Sequence, residues 1–287
     1  MTFSDLRIYS YIHNMKELTL RELQEFCLDI LQDVHNFCVN NHIQYSLYAG
    51  SMLGAIRHKG YIPWDDDVDI IMPRPDYDKF CKEYQSKKYH LINNVTDENC
   101  FIAFTRVCDL DRTTIVTYSP WCSENTGCWI DIFPADGFPN EEKAQGDLYE
   151  KCINLRHSLV KMRQAKAHFH GGLKEHIRLA LNKLTTKNGY QAKDIVKNLL
   201  SVIQTYDYEK SPCWASLTNV RNKKEWKHHP IETFKTCSLM KFGDREFYVM
   251  DGYDTVLSQR FGDYMKLPPI DEQKPKQSYI HFYWKNK

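Results

Sequence analysis

Four aspartates stand within five positions of the stretch YAGSMLGAIRHKGYIPWDDDVDIIM (residues 48–72), at 65, 66, 67 and 69. Read as a strand over 67–72, alternation places Asp67 and Asp69 on one face and sends Val68, Ile70 and Met72 into a core. Neighbouring carboxylates repel unless a cation lies between them, and an all-oxygen ligand set favours Mg²⁺, or Mn²⁺. An unpaired acid beside such an apolar run would be costly, so the spacing predicts a metal site. Asp66 has the opposite parity and falls to a loop or supporting role.

Further candidates flank the cluster. Gly50-Ser51 precedes it and starts a helical turn, where a glycine lets backbone approach a phosphate and free N–H groups attract negative charge. Arg57, His58 and Lys59 follow as cations for a diphosphate, Arg57 being the best suited to forked oxygen contacts. Asp131 in CWIDIFPADG sits between Trp129, Ile130, Ile132 and Phe133, and an acid in so apolar a run should be paired or ligated. It is the candidate third carboxylate. Asp136, just after Pro134, reads as shaping a following turn.

These residues need a scaffold. Leu20, Leu23, Phe26, Cys27, Ile30, Leu31, Val34, Phe37 and Cys38 recur at helical spacing over 19–41, and Thr19 with Glu22 fits a capping box. A short strand at 44–48, a helical turn to about 58, the strand at 67–72, a helix at 77–84 and strands near 89–95, 101–108 and 128–133 follow. Interleaved strands and helices predict an α+β domain over residues 1–139. From about residue 141 the pattern turns helical, so residues 140–287 read as a mostly helical portion binding donor and acceptor. Within it, Phe242-Gly243-Asp244-Arg245 reads as a hairpin turn and a helix after Asp251 ends near Gly262.

Composition narrows the classes. The chain has 287 residues, 42% hydrophobic and 26% charged, with a formal net charge of +1, which gives no argument for a nucleic-acid partner. No apolar run approaches the ~18 residues that span a bilayer, and the opening residues do not read as a secretory leader. Ten scattered cysteines without a C-x-x-C pair read as reduced thiols, so a cytoplasmic setting is expected. Residues 156–187 carry eight Lys or Arg against the single acid Glu175. That is a solvated face, or a surface for an anionic acceptor or an anionic membrane.

The GS…G-x-x-RH-x-G-x-IPWDDD-x-D block, the WIDIFP-x-DG strand and the tail FGDYMKLPP resemble, in this order, the LicD family of phosphocholine transferases. The resemblance implies a nucleotidyltransferase fold related to that of DNA polymerase β, a mixed sheet flanked by helices. It implies that Asp67 and Asp69 are the metal pair, Asp65 an adjacent acid and Asp131 the third carboxylate. A Lys or Arg is typical near residue 106, and Arg106 fits. A proline common before the C-terminal helix is replaced by Val249-Met250-Asp251-Gly252, which bears on the local pocket wall.

The expected donor is therefore CDP-choline or a related CDP-alcohol, and the acceptor a lipid-linked saccharide at the inner face of the membrane. Choline would want an aromatic cage, with Trp64, Trp121, Trp129 and Trp214 as candidates. Competing readings are transfer of ribitol, glycerol or ethanolamine phosphate, nucleotidyl transfer from an NTP, and a non-catalytic binding relic.

Overall fold

The computed structural model describes residues 15–97, 100–117, 126–166, 192–277 and 280–285. Helix α1 (Leu20–Asn40) forms where the apolar spacing places it. Its capping box is complete: Thr19 Oγ1 accepts from the Glu22 N–H at 3.2 Å, and Glu22 Oε2 accepts from the Thr19 N–H at 2.9 Å. Leu23, Phe26, Cys27, Ile30, Leu31, Val34 and Cys38 are buried, and the Cys27 thiol donates to the Trp129 carbonyl at 3.3 Å, holding the helix to the sheet behind the site.

Strands β1 (Ser46–Leu47), β2 (Asp69–Pro73), β3 (His90–Ile92), β4 (Thr105–Asp109) and β6 (Cys128–Phe138) form the main sheet in the order β1-β2-β6-β4-β3. β2 and β6 run parallel, and the other neighbours run antiparallel. A parallel pair needs a long crossover. Helix α3 (Arg74–Glu83), β3, β4 and β5 (Thr113–Thr117) supply it. Between β1 and β2 lie a short helix α2 (Ala49–Leu53) and a wider π turn (Gly54–His58). The domain is thus α+β, with a mixed sheet and flanking helices.

The strands near 67–72 and 89–95 are shorter than their apolar runs, and β5 was not anticipated. β6 is longer than expected: it runs through Pro134 to Phe138, buried throughout. Asp136 therefore shapes no turn. It is a buried strand residue paired with Ala215, and Arg74 forks onto it, Nε to Oδ1 at 2.6 Å and Nη2 to Oδ2 at 2.9 Å. The buried, charged fork explains why an acid stands there.

After residue 140 the described residues combine helices with short strands. Helices α4 (Glu142–Lys166), α5 (Ala192–Ile203) and α6 (Tyr253–Phe261) are joined by five strands. β7 (Cys213–Ala215) extends the main sheet from β6 and carries β8 (His229–Pro230). β9 (Cys237–Phe242) and β10 (Arg245–Met250) form the expected hairpin, with Gly243 at φ 70° in its turn. β11 (Ile280–Trp284) pairs with β5. α4 and α5 bury a second apolar cluster with Phe138, Ala215 and Leu217. Because β6 contributes to both cores, the second portion is seated against the strand that carries Asp131.

Of the ten cysteines, nine lie among the described residues, all as free thiols, six of them buried. Among the described residues no helix is long and apolar enough to cross a membrane.

Candidate active site

The register of three strands sets the site. Asp69 on β2 stands opposite Asp131 on β6, and Asp131 stands opposite Arg106 on β4. Directly paired strand residues point to the same face, so an acid, an acid and a cation form one row across the sheet. Arg106 Nε donates to Asp131 Oδ1 at 2.7 Å, and its guanidinium lies 4.3 Å from the Trp129 ring centroid. Val68, Ile70 and Met72 are buried on the opposite parity, as expected.

The backbone around Asp69 is tightly held. Its N–H donates to Ser51 Oγ at 2.9 Å, its carbonyl accepts from the Tyr48 N–H at 2.9 Å, and the Val68 carbonyl accepts from the Asp131 N–H at 2.9 Å. Ala49, between these contacts, has φ 48°, a left-handed conformation that costs a non-glycine residue about 1 kcal/mol or more. At Gly50 a Cβ would lie 2.6 Å from Asp65 Oδ2. The glycine therefore makes room for a carboxylate rather than for a phosphate alone.

Asp65, Asp67, Asp69 and Asp131 open onto one cavity of about 520 Å³, with Gly50 and Arg106 in its wall. Burial and then the neighbouring Asp67 push the Asp65 carboxyl up to about 7. Burial and then Asp131 push Asp67 up to about 6. Asp69 is also raised, by burial, Asp67 and Asp131 in turn, with Arg260 opposing. One carboxylate oxygen each from Asp65, Asp66 and Asp67 lie within 4.8 Å of one another. Asp66, despite its parity, thus stays close: its Oδ2 accepts from the Gln277 N–H at 2.8 Å, and its Oδ1 is buried without a hydrogen bond among the described residues. Acids that repel one another and offer only oxygen are a fitting donor set for a hard divalent cation.

Asp65, Asp67, Asp69, Asp131, Arg106 and Gly50 are therefore brought together, and the other candidates are not. Ser51 is buried, its hydroxyl taken by Asp69. Arg57 Nη1 turns to the tail, donating to the Tyr264 and Lys266 carbonyls at 2.7 and 3.1 Å. Lys59 closes the π turn at φ 57°, and its carbonyl accepts from the Gly243 N–H at 2.7 Å. The His58 and Trp64 rings meet edge to face at 6.2 Å, off the cavity. This basic segment joins the core to the hairpin and tail. Trp129 lies under Arg106, Trp214 is buried with Nε1 donating to Thr233 Oγ1, and Trp121 lies outside the described residues. The aromatic walls are instead Phe101, Phe104, Phe133 and Phe261.

On the far side, Arg156 was read only as part of the basic run, and Asn219, Arg221, Arg260, Lys276 and Gln277 were missed. Gln277 Nε2 donates to Asp67 Oδ2 at 2.9 Å. These residues come from α4, the β7–β8 loop, α6 and the tail, with no spacing that relates them to residue 67. The only signal was Arg260 immediately before the FGDYMKLPP tail.

An α+β sheet that sets Asp69 and Asp131 on two parallel neighbours, with Asp65 and Asp67 in the loop just before β2 and a rim of arginine and lysine facing them, fits a group-transfer enzyme. The family described as LicD/FKTN/FKRP, nucleotidyltransferase domain, matches residues 42–158, which hold all four carboxylates. The chain is 35% identical over 277 residues to the lipopolysaccharide cholinephosphotransferase LicD of Haemophilus influenzae, covering 93% of this chain and 100% of that protein. It belongs to the LicD family. Uncharacterized proteins of Rickettsia typhi (28% over 129 residues, 42% of this chain and 40% of that one) and Rickettsia prowazekii (39% over 71 residues, 24% of each) are also similar.

Proposed function

We propose that this chain is a phosphotransferase that moves phosphocholine from CDP-choline to a hydroxyl of a cell-surface glycan precursor and releases CMP. The row Asp69–Asp131–Arg106 in the cavity carries this reading, supported by the similarity along 93% of the chain to a cholinephosphotransferase. The parallel β2–β6 pair bearing the acids also supports the nucleotidyltransferase assignment of the fold.

In this reading Asp67 and Asp69 hold Mg²⁺, with Asp65 beside them, and the cation when bound neutralises charge on the diphosphate. The acceptor oxygen bonds to the phosphorus that carries choline as the bond from that phosphorus to the bridging oxygen breaks, and CMP leaves with that oxygen. Asp131, fixed by Arg106, orients the acceptor hydroxyl and takes its proton. Phosphoryl transfer relies mainly on positioning and charge stabilisation, so no strong base is required. Arg260, at the edge of the acids, stabilises charge on the leaving CMP. Phe104 and Phe133, packed together at 4.6 Å between centroids, form the aromatic wall against which the trimethylammonium group would rest.

We place the enzyme at the cytoplasmic face of the membrane, working on a lipid-linked saccharide. Of the basic run expected to touch that surface, Arg156 turns inward to the cavity, Lys161 is exposed, and residues 167–187 lie outside the described residues. The test is CMP release from CDP-choline with Mg²⁺ and saccharide acceptors, against Asp69→Ala. Acceptor-dependent CMP release that the variant lacks supports the reading. Turnover with CDP-ribitol, CDP-glycerol or CDP-ethanolamine but not CDP-choline replaces the head group, and pyrophosphate release from an NTP replaces the reaction.

A further inference from the structure

A second cavity, of about 340 Å³, adjoins the acidic one, and the two share Asp69, Phe133, Asn219, Arg221, Arg260 and Phe261. Lys224 and Lys227 line only the second. Four cations, Arg221, Lys224, Lys227 and Arg260, thus face a space whose only acids among the described residues are Asp69 and Glu225. The Glu225 carboxylate is occupied locally, Oε2 by the Arg221 backbone N–H at 2.8 Å and Oε1 by Asn222 Nδ2 at 3.1 Å. Lys223 is drawn away to Glu150 at 3.3 Å, whereas Lys224 and Lys227 make no ion pair among the described residues.

The cations are held in place. Asn222 Oδ1 accepts from the Lys224 N–H at 2.9 Å, and Trp226 stacks on Tyr149 at 4.7 Å and 8°, anchoring the loop between the two lysines. From α4, Arg156 Nη2 donates to Asn219 Oδ1 at 2.7 Å and closes the rim where the cavities meet. Burial and the adjacent Arg221 lower the Arg156 pKa to about 10, a sign of like charges crowded together. Such a cluster is relieved by an anion that bridges it.

We propose that this second cavity binds a negatively charged group, a phosphate or carboxylate, carried by the saccharide acceptor. The proposal rests on the phosphotransfer reading and narrows its acceptor to an acidic saccharide. The donor does not account for the cavity. Its reacting phosphorus must lie against the acids of β2 and β6, of which only Asp69 reaches the second cavity. Arg260 at the junction serves the donor diphosphate, and Lys224 and Lys227 lie beyond it. An acceptor entering from this side would bring its hydroxyl to the junction with its charge held behind.

The test is calorimetric titration of the full chain, with Mg²⁺ and saturating CMP, using glucose, glucose 6-phosphate and glucuronate as probes. A charged sugar should bind at least tenfold tighter than glucose, and the Lys224→Gln/Lys227→Gln double variant should lose at least fivefold of that preference. CMP affinity should stay within twofold. Both lysines are exposed, and Lys224→Arg/Lys227→Arg should retain the preference. Equal binding of the three sugars would overturn the proposal. So would exclusion of the charged sugars by saturating CMP, or a parallel loss of CMP affinity in the Gln variant, since the cavity would then belong to the donor. A separate titration with CDP-choline tests the phosphocholine reading: if CDP-choline does not bind, that reading fails while the sugar comparison still decides this one.

Discussion

Ser51 Oγ accepts the backbone N–H of Asp69 at 2.9 Å, joining the helix after β1 to the first residue of β2. The serine thereby fixes where the acid stands. Ser51→Ala leaves a part-buried donor unsatisfied, which costs about 1–3 kcal/mol. The expected result is a Tm lowered by several degrees and slowed CMP release, with the donor still bound. A Tm and rate both equal to wild type would show that the contact is dispensable.

The acids destabilise one another in the absence of a cation, as the raised Asp65, Asp67 and Asp69 carboxyls show. Asp69→Asn should therefore melt higher than wild type in EDTA, by about 2–5 °C, because a repelled buried charge is removed. Adding Mg²⁺ or Mn²⁺ should raise the wild-type Tm and leave the variant nearly unmoved. Turnover of the variant should fall by about a thousandfold or more, the loss of several kcal/mol of transition-state stabilisation. A variant less stable than wild type in EDTA would contradict this picture of the site.

The carboxylate side was legible because reading 67–72 as a strand puts Asp67 and Asp69 on one face; β2 begins only at Asp69, yet both acids line the cavity. Their relation to Asp131 was legible only as chemistry, an acid in a buried run, until the β2–β6 register placed it opposite Asp69. The basic segment misled because Arg57 lies on a π turn and reaches carbonyls of Tyr264 and Lys266, more than two hundred residues on. β7 and β8 escaped notice because they are only three and two residues long, too short for periodicity to register. Lys276 and Gln277 reach the acids through the tail that leads into β11, which pairs with β5 in a separate two-stranded sheet. A local pattern does not encode such a return.

Asp136 shows how the same residue type serves structure. Its carboxylate is fully enclosed and forked by Arg74, away from the cavity. Removing one partner strands a buried charge, so Asp136→Ala should cost about 3–5 kcal/mol. Replacing both, as in Arg74→Met/Asp136→Leu, should recover much of that loss. Urea unfolding of the single and double variants measures the difference, and the folded fraction of each should release CMP at the wild-type rate. A catalytic defect out of proportion to the loss of folded protein would instead bring Asp136 into the site.

His229 sets the acid limit of the fold. It is buried against Trp214, with ring centroids 4.5 Å apart, and its Nδ1 lacks a hydrogen-bond partner among the described residues. Burial first, then the charges of His228 and Arg260, push its pKa down to about 4, against an ordinary value of 6.5. The unfolded chain therefore takes up this proton more readily than the folded one, and stability falls as pH drops from about 6.5 towards 4. Above 6.5 the ring is neutral in both states and the contribution is constant. The full loss is roughly 3 kcal/mol. Urea unfolding at pH 7.5 and pH 5 should show a gap in wild type that narrows by about 2 kcal/mol in His229→Gln, since glutamine has no proton to gain. An undiminished gap in the variant would remove His229 as the source of the acid limit, and the raised carboxyls of the site, which predict the opposite slope, could not take its place.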